Sequence, residues 1–197
     1  MEGTASGRVV VVSGPAGAGK TTLVERLFQT CPLPLVRSVS ATTRLPRGEE
    51  TDGVDYHFVD LQRFQAMRDE GLFLECFEVF GQGYWYGTLW SEVRAGVQAG
   101  KWVVLNIDVH GAAAVAERFK SAITIFVSPS SLEELRRRLR HRGTDTPEEI
   151  ERRLRRAHYE LSQAPLYRYQ VVNDDLDRAV NEICTILTEE KENERND

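Results

Sequence analysis

The chain has 197 residues, of which 41% are hydrophobic and 28% are charged, which fits a globular protein that buries one core and carries inserted subdomains. Its formal net charge of −5 argues against a general nucleic-acid-binding protein, because such proteins usually need a large positive excess. The three cysteines, Cys31, Cys76 and Cys184, are far apart and lack metal-ligand spacing, so neither a disulfide framework nor a zinc site is indicated.

The N-terminal part of the chain predicts a strand, a glycine-rich turn and a helix. Its first residues, MEGTASGR, are polar and no long apolar stretch follows, so we expect no secretory signal, no membrane span and a cytoplasmic location. Residues Arg8–Ser13 (RVVVVS) form the continuous β-branched run that is typical of a strand buried on both faces. Residues 21–30 then carry apolar side chains at helical spacing.

The turn between this strand and this helix reads GPAGAGKT and matches the phosphate-binding pattern G-x-x-x-x-G-K-[ST]. Its glycines let backbone N–H groups approach phosphate oxygens, Lys20 supplies a positive charge toward the β- and γ-phosphates, and Thr21 offers a hydroxyl to Mg²⁺. The turn therefore predicts a site for a nucleoside triphosphate. The alternative is an ordinary glycine-rich turn.

Residues 38–91 interrupt the alternation of strands and helices, and we interpret them as an insertion. Arg44 and Arg47 flank a Leu-Pro pair, and proline restrains its own backbone and that of the residue before it. The restrained pair of guanidinium groups suits a phosphate, to which Tyr56 and Tyr86 could add hydroxyl donors. The alternative for these arginines is a solvated surface.

The end of this insertion predicts an antiparallel hairpin. The apolar run FLECFEVF at residues 73–80 is interrupted by Glu75 and Glu78, and two glycines then turn the chain into YWYGT. A glutamate on such an alternating strand would ordinarily face solvent.

The remaining elements predict a parallel sheet covered by helices. Apolar runs at residues 102–107, 122–127 and 170–172 read as strands, with helices at residues 110–119 and from the last strand to about residue 187. We therefore predict a discontinuous core domain over residues 8–37, 92–129 and 162–190. The polar residues 191–197 are expected to form a disordered tail.

Residues 130–161 predict a second insertion, a helical lid. Ser131 with Glu134 and Thr146 with Glu149 each form a capping-box pattern, so two helices are expected to meet at residues 142–144. Nine arginines fall between positions 136 and 156, and such crowding indicates that an anion binds there. A solvated helix face with glutamate counter-ions is the alternative.

The segment SVSATTRLPRGEETDGVDYHF, together with YWYGT, NIDVHG, RLRHRGTDTPEEIERRL and VVNDDLD, resembles the guanylate kinases, which transfer the γ-phosphoryl group of ATP to GMP. The resemblance runs from about residue 8 to about residue 187. It implies the P-loop NTPase fold, an α/β protein with a three-layer α/β/α core around a parallel sheet, here with an inserted GMP-binding mixed β subdomain and the helical lid. It also implies Mg²⁺ as the cofactor, with ATP and GMP as small-molecule partners.

The resemblance also implies the residues of each site. The residues implied for ATP are Gly14, Pro15, Ala16, Gly17, Ala18, Gly19, Lys20, Thr21, Thr22 and Asn173, with Thr21 also the metal ligand. Those implied for the GMP phosphate are Arg44, Arg47, Tyr56 and Tyr86, and those for the guanine base are Ser40, Glu75, Thr88 and Asp108. The implied catalytic residues are Lys20, Arg138, Arg142 and Arg153. A turn-forming role is the alternative for Asn173.

Elementary chemistry agrees with the assignment of Glu75. Guanine presents N1–H and N2–H₂ side by side as donors, and one carboxylate can accept both. Adenine has an acceptor at N1 that would face the same carboxylate, so the discrimination should be strong. No general base is obvious, and none is needed, because the phosphate of GMP is largely ionised near neutral pH, its second pKa being about 6.

Two features depart from the family pattern. Asn106 stands where the family usually has a carboxylate near the magnesium waters, which puts the metal affinity in question. The stretch GQGYWYGT is longer than the usual turn, which leaves the placement of Tyr86 open. The alternatives to an active enzyme are a guanylate-kinase-like protein-interaction module that has lost catalysis and a kinase for a related phosphorylated sugar or nucleotide. Lys20 and the complete lid disfavour the interaction module, and Glu75 with Asp108, which suit guanine, disfavour the other kinase. The oligomeric state stays open.

Overall fold

The computed structural model describes residues 7–79, 83–141 and 146–196. Its contacts divide the chain into two compact units. The first comprises Met1–Val10, Pro34–Leu105 and His110–Ala122, and the second comprises Val11–Leu33, Asn106–Val109 and Ile123–Asp197. In the described part of the chain, no helix combines the length and the apolar character that crossing a bilayer requires. The predicted division into core, insertion and lid stays a prediction.

The strands of the described residues form two sheets. In chain order they are β1 (Arg8–Ser13), β2 (Leu35–Arg37), β3 (Ala41–Thr42), β4 (His57–Phe58), β5 (Phe73–Val79), β6 (Tyr84–Leu89), β7 (Trp102–Asn106), β8 (Ile123–Ser128) and β9 (Tyr169–Val172). The larger sheet has the order β2-β7-β1-β8-β9, and the smaller has the order β4-β3-β6-β5. The pairs β2 with β7 and β8 with β9 are parallel, and the second of these pairs agrees with the predicted parallel sheet.

The helices mostly begin and end where the sequence places them. They are α1 (Lys20–Thr30), α2 (Leu61–Asp69), α3 (Trp90–Gln98), α4 (Val109–Arg118), α5 (Leu132–His141), α6 (Pro147–Ser162) and α7 (Leu176–Asn196), with a short 3₁₀ turn at Ala164–Leu166. Helices α2 and α3 were not predicted. The strand β2 was also missed, because three residues are too few for a recognisable pattern.

The central strands owe their burial to continuous apolar runs. Val10, Val11 and Val12 of β1 are fully buried, and β7 and β8 are buried in the same way along most of their length. Strands of a parallel sheet have side chains covered on both faces, so they favour unbroken β-branched runs over alternation. The glycine-rich turn follows β1, and Asp108 follows β7.

The smaller sheet in the first unit confirms the predicted hairpin. Strand β6 pairs antiparallel with both β5 and β3, whereas β3 pairs parallel with β4, so the sheet is mixed. Its core includes Ala41, Phe64, Met67 and Phe73, and the rings of Phe64 and Phe73 stack with centroids 4.5 Å apart. Helix α2 thereby anchors the sheet from which the candidate GMP-binding side chains project.

Helices α5 and α6, in the segment predicted to be a helical insertion, pack against each other in the second unit. Its core contains the buried side chains Leu135, Leu139, Ile150, Leu154 and Ala157. The capping box of Thr146 and Glu149 is present, and the Ser131 hydroxyl accepts a hydrogen bond from the Glu134 N–H. The predicted meeting point of the two helices, residues 142–144, lies outside the described residues.

Helix α7 corrects the predicted end of the chain. The sequence predicts that this helix ends near residue 187 and that a disordered tail covers residues 191–197, but α7 continues to Asn196. The carboxylate of Glu190 is buried and accepts hydrogen bonds from the Arg168 guanidinium at 2.9 Å and from the Tyr169 hydroxyl at 2.6 Å. These tertiary contacts hold a helical segment whose own composition is polar.

Candidate active site

The glycine-rich turn between β1 and α1 forms a loop that only glycine tolerates at three positions. Gly14, Gly17 and Gly19 have φ angles of 139°, 95° and 86°, a region that side chains disfavour. A Cβ atom on Gly14 would lie 2.0 Å from the Val127 carbonyl oxygen, and one on Gly19 would lie 2.5 Å from Nδ2 of Asn173. The loop therefore needs glycine both for its backbone conformation and for the close approach of its neighbours.

Lys20 opens helix α1 and turns back over this loop. Its Nζ atom donates hydrogen bonds to the carbonyl oxygens of Gly14 at 2.6 Å and Pro15 at 3.0 Å. Thr21 and Thr22 follow in the exposed first turn of the helix. The positive end of a helix, the loop N–H groups and an ammonium group are thus gathered in one place, which is a suitable arrangement for phosphate groups.

Asn173 and Arg138 also contact this loop. Asn173 is buried, and its Nδ2 atom donates to the carbonyl oxygen of Ala18 at 2.8 Å. Arg138 donates from Nη2 to the Asn173 carbonyl oxygen at 2.8 Å and from Nε to Glu134 at 2.7 Å. Asn173 therefore supports the loop backbone, which goes beyond the turn-forming alternative. The adenine contact implied for it stays a prediction.

The carboxylate of Glu134 lies between two arginines of α5. Hydrogen bonds from Arg137 and from Arg138 lower the pKa of Glu134 to about 2. Arg138 is therefore held by a neighbouring carboxylate and by the loop at the same time. Among the other implied lid arginines, Arg153 lies partly buried on α6 and Arg142 lies outside the described residues.

The structure brings Arg44, Tyr56 and Tyr86 together in the first unit. The Arg44 side chain is only 6% exposed, and its Nε atom donates to the Tyr86 hydroxyl at 2.9 Å. The guanidinium carbon lies 5.1 Å from the centre of the Tyr56 ring. Arg47 is exposed nearby in the chain. Three of the four residues predicted for the GMP phosphate thus form one cluster, and the placement of Tyr86 within β6 is settled by its register opposite Thr42.

The electrostatics of this cluster depend on Glu50, which the sequence analysis missed. Glu50 accepts two hydrogen bonds from the Arg44 guanidinium, at 2.6 and 2.9 Å. Burial of Arg44 opposes its charge, but the hydrogen bonds and charge interactions with Glu50 and Tyr86 together outweigh it and raise the pKa of Arg44. The hydrogen bonds from Arg44 lower the pKa of Glu50, whereas burial raises the pKa of Tyr56. Both tyrosine hydroxyls therefore sit beside a permanent cation.

Glu75 and Thr88 face each other across β5 and β6. They are paired in the register of the hairpin, and both are buried. The Oε1 atom of Glu75 accepts hydrogen bonds from the Thr88 N–H at 3.1 Å and from the Thr88 hydroxyl. The solvent-facing alternative for Glu75 is wrong, since the carboxylate is buried and held in one orientation. Ser40 lies in the same unit, where its carbonyl oxygen accepts from the His57 N–H.

A match to a family model decides the identity of the fold. The model, described as guanylate kinase, matches residues 6–190. The chain belongs to the guanylate kinase family. Its α/β fold is accordingly that of the P-loop NTPases, as the sequence predicts.

Named relatives agree with this membership. The chain is 48% identical over 186 residues to a guanylate kinase of Rhodopirellula baltica, covering 94% of this chain and 89% of that one. It is 49% identical over 182 residues to one of Alkalilimnicola ehrlichii, covering 92% and 88%. The crystal structure of guanylate kinase from Anaplasma phagocytophilum is similar with a TM-score of 0.79 and 33% identity, over 95% of this chain and 87% of that one.

The guanine-reading residue implied by the guanylate kinase resemblance at Asp108 belongs to the second unit. Its carboxylate lies 3.7 Å from Nη2 of Arg156 on α6, and Arg156 also donates to buried Glu160 at 2.9 Å. Arg156 was not singled out by the sequence, because nine arginines crowd that segment and the family pattern selects others. The pairing links a predicted base-reading residue to helix α6.

The magnesium ion that guanylate kinases imply can be tested against the side chains present. The Thr21 hydroxyl oxygen lies 3.4 Å from Nδ2 of Asn106, so an alcohol and an amide stand beside the loop. Mg²⁺ binds through oxygen ligands and commonly takes only one or two from the protein, with phosphates and waters completing the shell. The described residues contain no group of three or more His, Cys, Asp or Glu side chains arranged for a metal. The Thr21 hydroxyl and the Asn106 amide therefore fit a metal ion that is held chiefly by nucleotide phosphates.

Proposed function

We propose that the chain is a guanylate kinase that transfers the γ-phosphoryl group of ATP to GMP with Mg²⁺, giving ADP and GDP. The observation that carries the proposal is the buried carboxylate of Glu75, oriented by Thr88. A buried acceptor of this kind favours a ring edge with adjacent N–H donors, which guanine has and adenine lacks. A base that left the carboxylate unpaired would be rejected strongly, because an unpaired buried charge is costly. Several close relatives carry the name guanylate kinase, which supports the same activity.

The phosphate of GMP would be held by Arg44, Arg47, Tyr56 and Tyr86. Because the Tyr86 oxygen accepts from the Arg44 Nε–H, its own proton is directed elsewhere and can be donated to a phosphate oxygen. Exposed Arg47 can bind the same group through its guanidinium fork. The phosphate is mostly a dianion near neutral pH, so it can attack without a general base.

ATP would be held by the loop and by Lys20. The loop N–H groups and the Lys20 ammonium would lie against the phosphates and stabilise negative charge as it moves to the leaving group. The Thr21 hydroxyl, with the Asn106 amide beside it, would hold Mg²⁺, which would supply positive charge against the phosphates. Arg138 is placed beside the loop through Asn173, so it could reach the transferring group after a change of partner. Roles for Arg142 and Arg153 stay predictions.

The test is a coupled assay of ADP release with GMP, AMP, dTMP and UMP as acceptors. We expect turnover with GMP that exceeds turnover with the other three by at least about 100-fold, since the site is built to pair with guanine's adjacent N1–H and N2–H₂ donors, a pair that the other bases lack. Turnover on AMP comparable to that on GMP would overturn the proposal. Lack of turnover with every acceptor would favour a non-catalytic module of the same family. The cytoplasmic location stays a prediction from the sequence.

A further inference from the structure

The carboxylate of Glu50 accepts three hydrogen bonds from Arg44 and Arg47, and the family resemblance assigns no role to it. Its Oε2 atom accepts from Nη1 of Arg44 at 2.6 Å and from the Arg47 N–H at 2.7 Å, while its Oε1 atom accepts from Nη2 of Arg44 at 2.9 Å. Its own N–H donates to the Arg47 carbonyl oxygen at 3.1 Å. Side chain and backbone of one glutamate therefore close the turn that carries both arginines.

The contacts of Arg44 explain why this glutamate matters. The guanidinium has five N–H donors, and four contacts are already made: two to Glu50, one to the Tyr86 hydroxyl and one to the Leu45 carbonyl oxygen at 2.8 Å. A cation that is 6% exposed needs a counter-charge, because a buried unpaired charge is strongly unfavourable. Glu50 supplies that charge through two hydrogen bonds, one from Nη1 and one from Nη2 of Arg44, the two-pronged arrangement that pairs arginine with a carboxylate most specifically.

A bound phosphate could either replace Glu50 on this fork or bind beside it. Replacement would break two charge-assisted bonds to Arg44 and the bond to the Arg47 N–H, and so would open the turn that holds Arg47. Binding beside it leaves these bonds intact, with the guanidinium of Arg47 and the Tyr86 hydroxyl as donors. The second arrangement keeps every observed contact, and the two arginines minus Glu50 still give one net positive charge to the phosphate.

We propose that Glu50 is a positioning residue for the acceptor phosphate. Glu50 stays bound to Arg44 during the reaction and fixes Arg44 and Arg47 in the orientation that holds GMP. This inference rests on the proposed function, because the phosphate in question is that of GMP. Glu50 itself touches no substrate. It acts by fixing the guanidinium of Arg44 and the backbone of Arg47.

The experiment compares the wild type with Glu50→Gln, Glu50→Asp and the control Glu49→Gln. Glu49 is the exposed neighbour, so its change removes the same charge from the same loop without touching Arg44. For Glu50→Gln we expect the KM for GMP to rise at least about tenfold, with the KM for ATP within about twofold of wild type, because uniform loss of binding appears in KM. Glu50→Asp keeps the charge and should recover part of the loss, and Glu49→Gln should behave as wild type.

Several results would overturn the inference. A lower KM for GMP in Glu50→Gln would mean that Glu50 competes with the phosphate, and an unchanged KM would mean that it has no role. Equal effects in Glu49→Gln and Glu50→Gln would mean that loop charge alone matters.

If thermal unfolding shows that Glu50→Gln does not fold, Glu50→Asp carries the test. Its shorter side chain should raise the KM for GMP several-fold, and an unchanged KM would refute the role. A wild type without turnover on GMP would refute the proposed function, whereas normal wild-type turnover with a silent Glu50→Gln refutes only this inference.

Discussion

Replacing Glu75 by glutamine should change which purine the enzyme accepts. The Thr88 backbone N–H can only donate, and it points at Oε1 of Glu75 at 3.1 Å. In Glu75→Gln the amide oxygen must therefore face Thr88, and the amide NH₂ is left to face the base. Guanine would then meet a donor where its own N1–H and N2–H₂ need acceptors, whereas the N1 acceptor of adenine would find a partner.

The size of the effect follows from the bonds that change. Hydrogen bonds to a charged group contribute about 1.5–3 kcal/mol each, so the loss of two of them costs GMP about 3–6 kcal/mol. At about 1.4 kcal/mol per tenfold, kcat/KM for GMP should fall by roughly 10²- to 10⁴-fold. AMP should gain one neutral hydrogen bond, about 0.5–1.5 kcal/mol, and so roughly 2- to 10-fold.

The assay is the kcat/KM ratio of GMP to AMP, measured for the wild type, Glu75→Gln and the control Glu78→Gln. Glu78 lies on the same strand but is exposed, so its substitution makes the same charge change away from Thr88. A Glu75→Gln enzyme that keeps the wild-type ratio would refute the assignment of Glu75 as the base-reading residue. A Glu78→Gln enzyme that shifts the ratio equally would show that net charge, not the oriented carboxylate, sets the preference.

Three further changes test other parts of the site. Lys20→Ala should lower kcat by roughly 10²- to 10³-fold in steady-state assays, because a charge donor to the moving phosphoryl group is lost; a KM for GMP that rose in proportion would contradict a role confined to ATP. Asn106→Asp should reduce the Mg²⁺ concentration for half-maximal turnover by roughly tenfold, because it adds charge beside the metal position, and an unchanged metal titration would exclude Asn106 from that position. The pKa of Glu134 in the folded protein, about 2, lies below its ordinary value of 4.5 because of hydrogen bonds from Arg137 and Arg138. The stabilisation is therefore present above about pH 4.5 and is lost as the pH falls toward 2. Urea unfolding of Glu134→Gln should show a weaker pH dependence than wild type across that interval, and identical slopes would exclude the ion pair.

The sequence by itself determined the elements whose causes are local. The β-branched run of Arg8–Ser13, the glycines of the following loop and the capping box at Thr146 depend on neighbours a few residues away, so pattern and position agree in the structure. The hairpin of β5 and β6 was readable for the same reason, because its alternation and its turn glycines lie in one short stretch.

Tertiary structure alone decided the partners of the charged side chains that do not pair within one helix. The loop sequence does not predict that Glu50, and not Glu49, forms the ion pair with Arg44. That choice depends on how the turn at Arg47 brings the carboxylate to the buried guanidinium. The pairing of Asp108 with Arg156 likewise joins distant positions of the chain. A charged side chain is long and flexible, so its sequence position bounds its reach but not its partner, and only the packed backbone selects one partner from many within range.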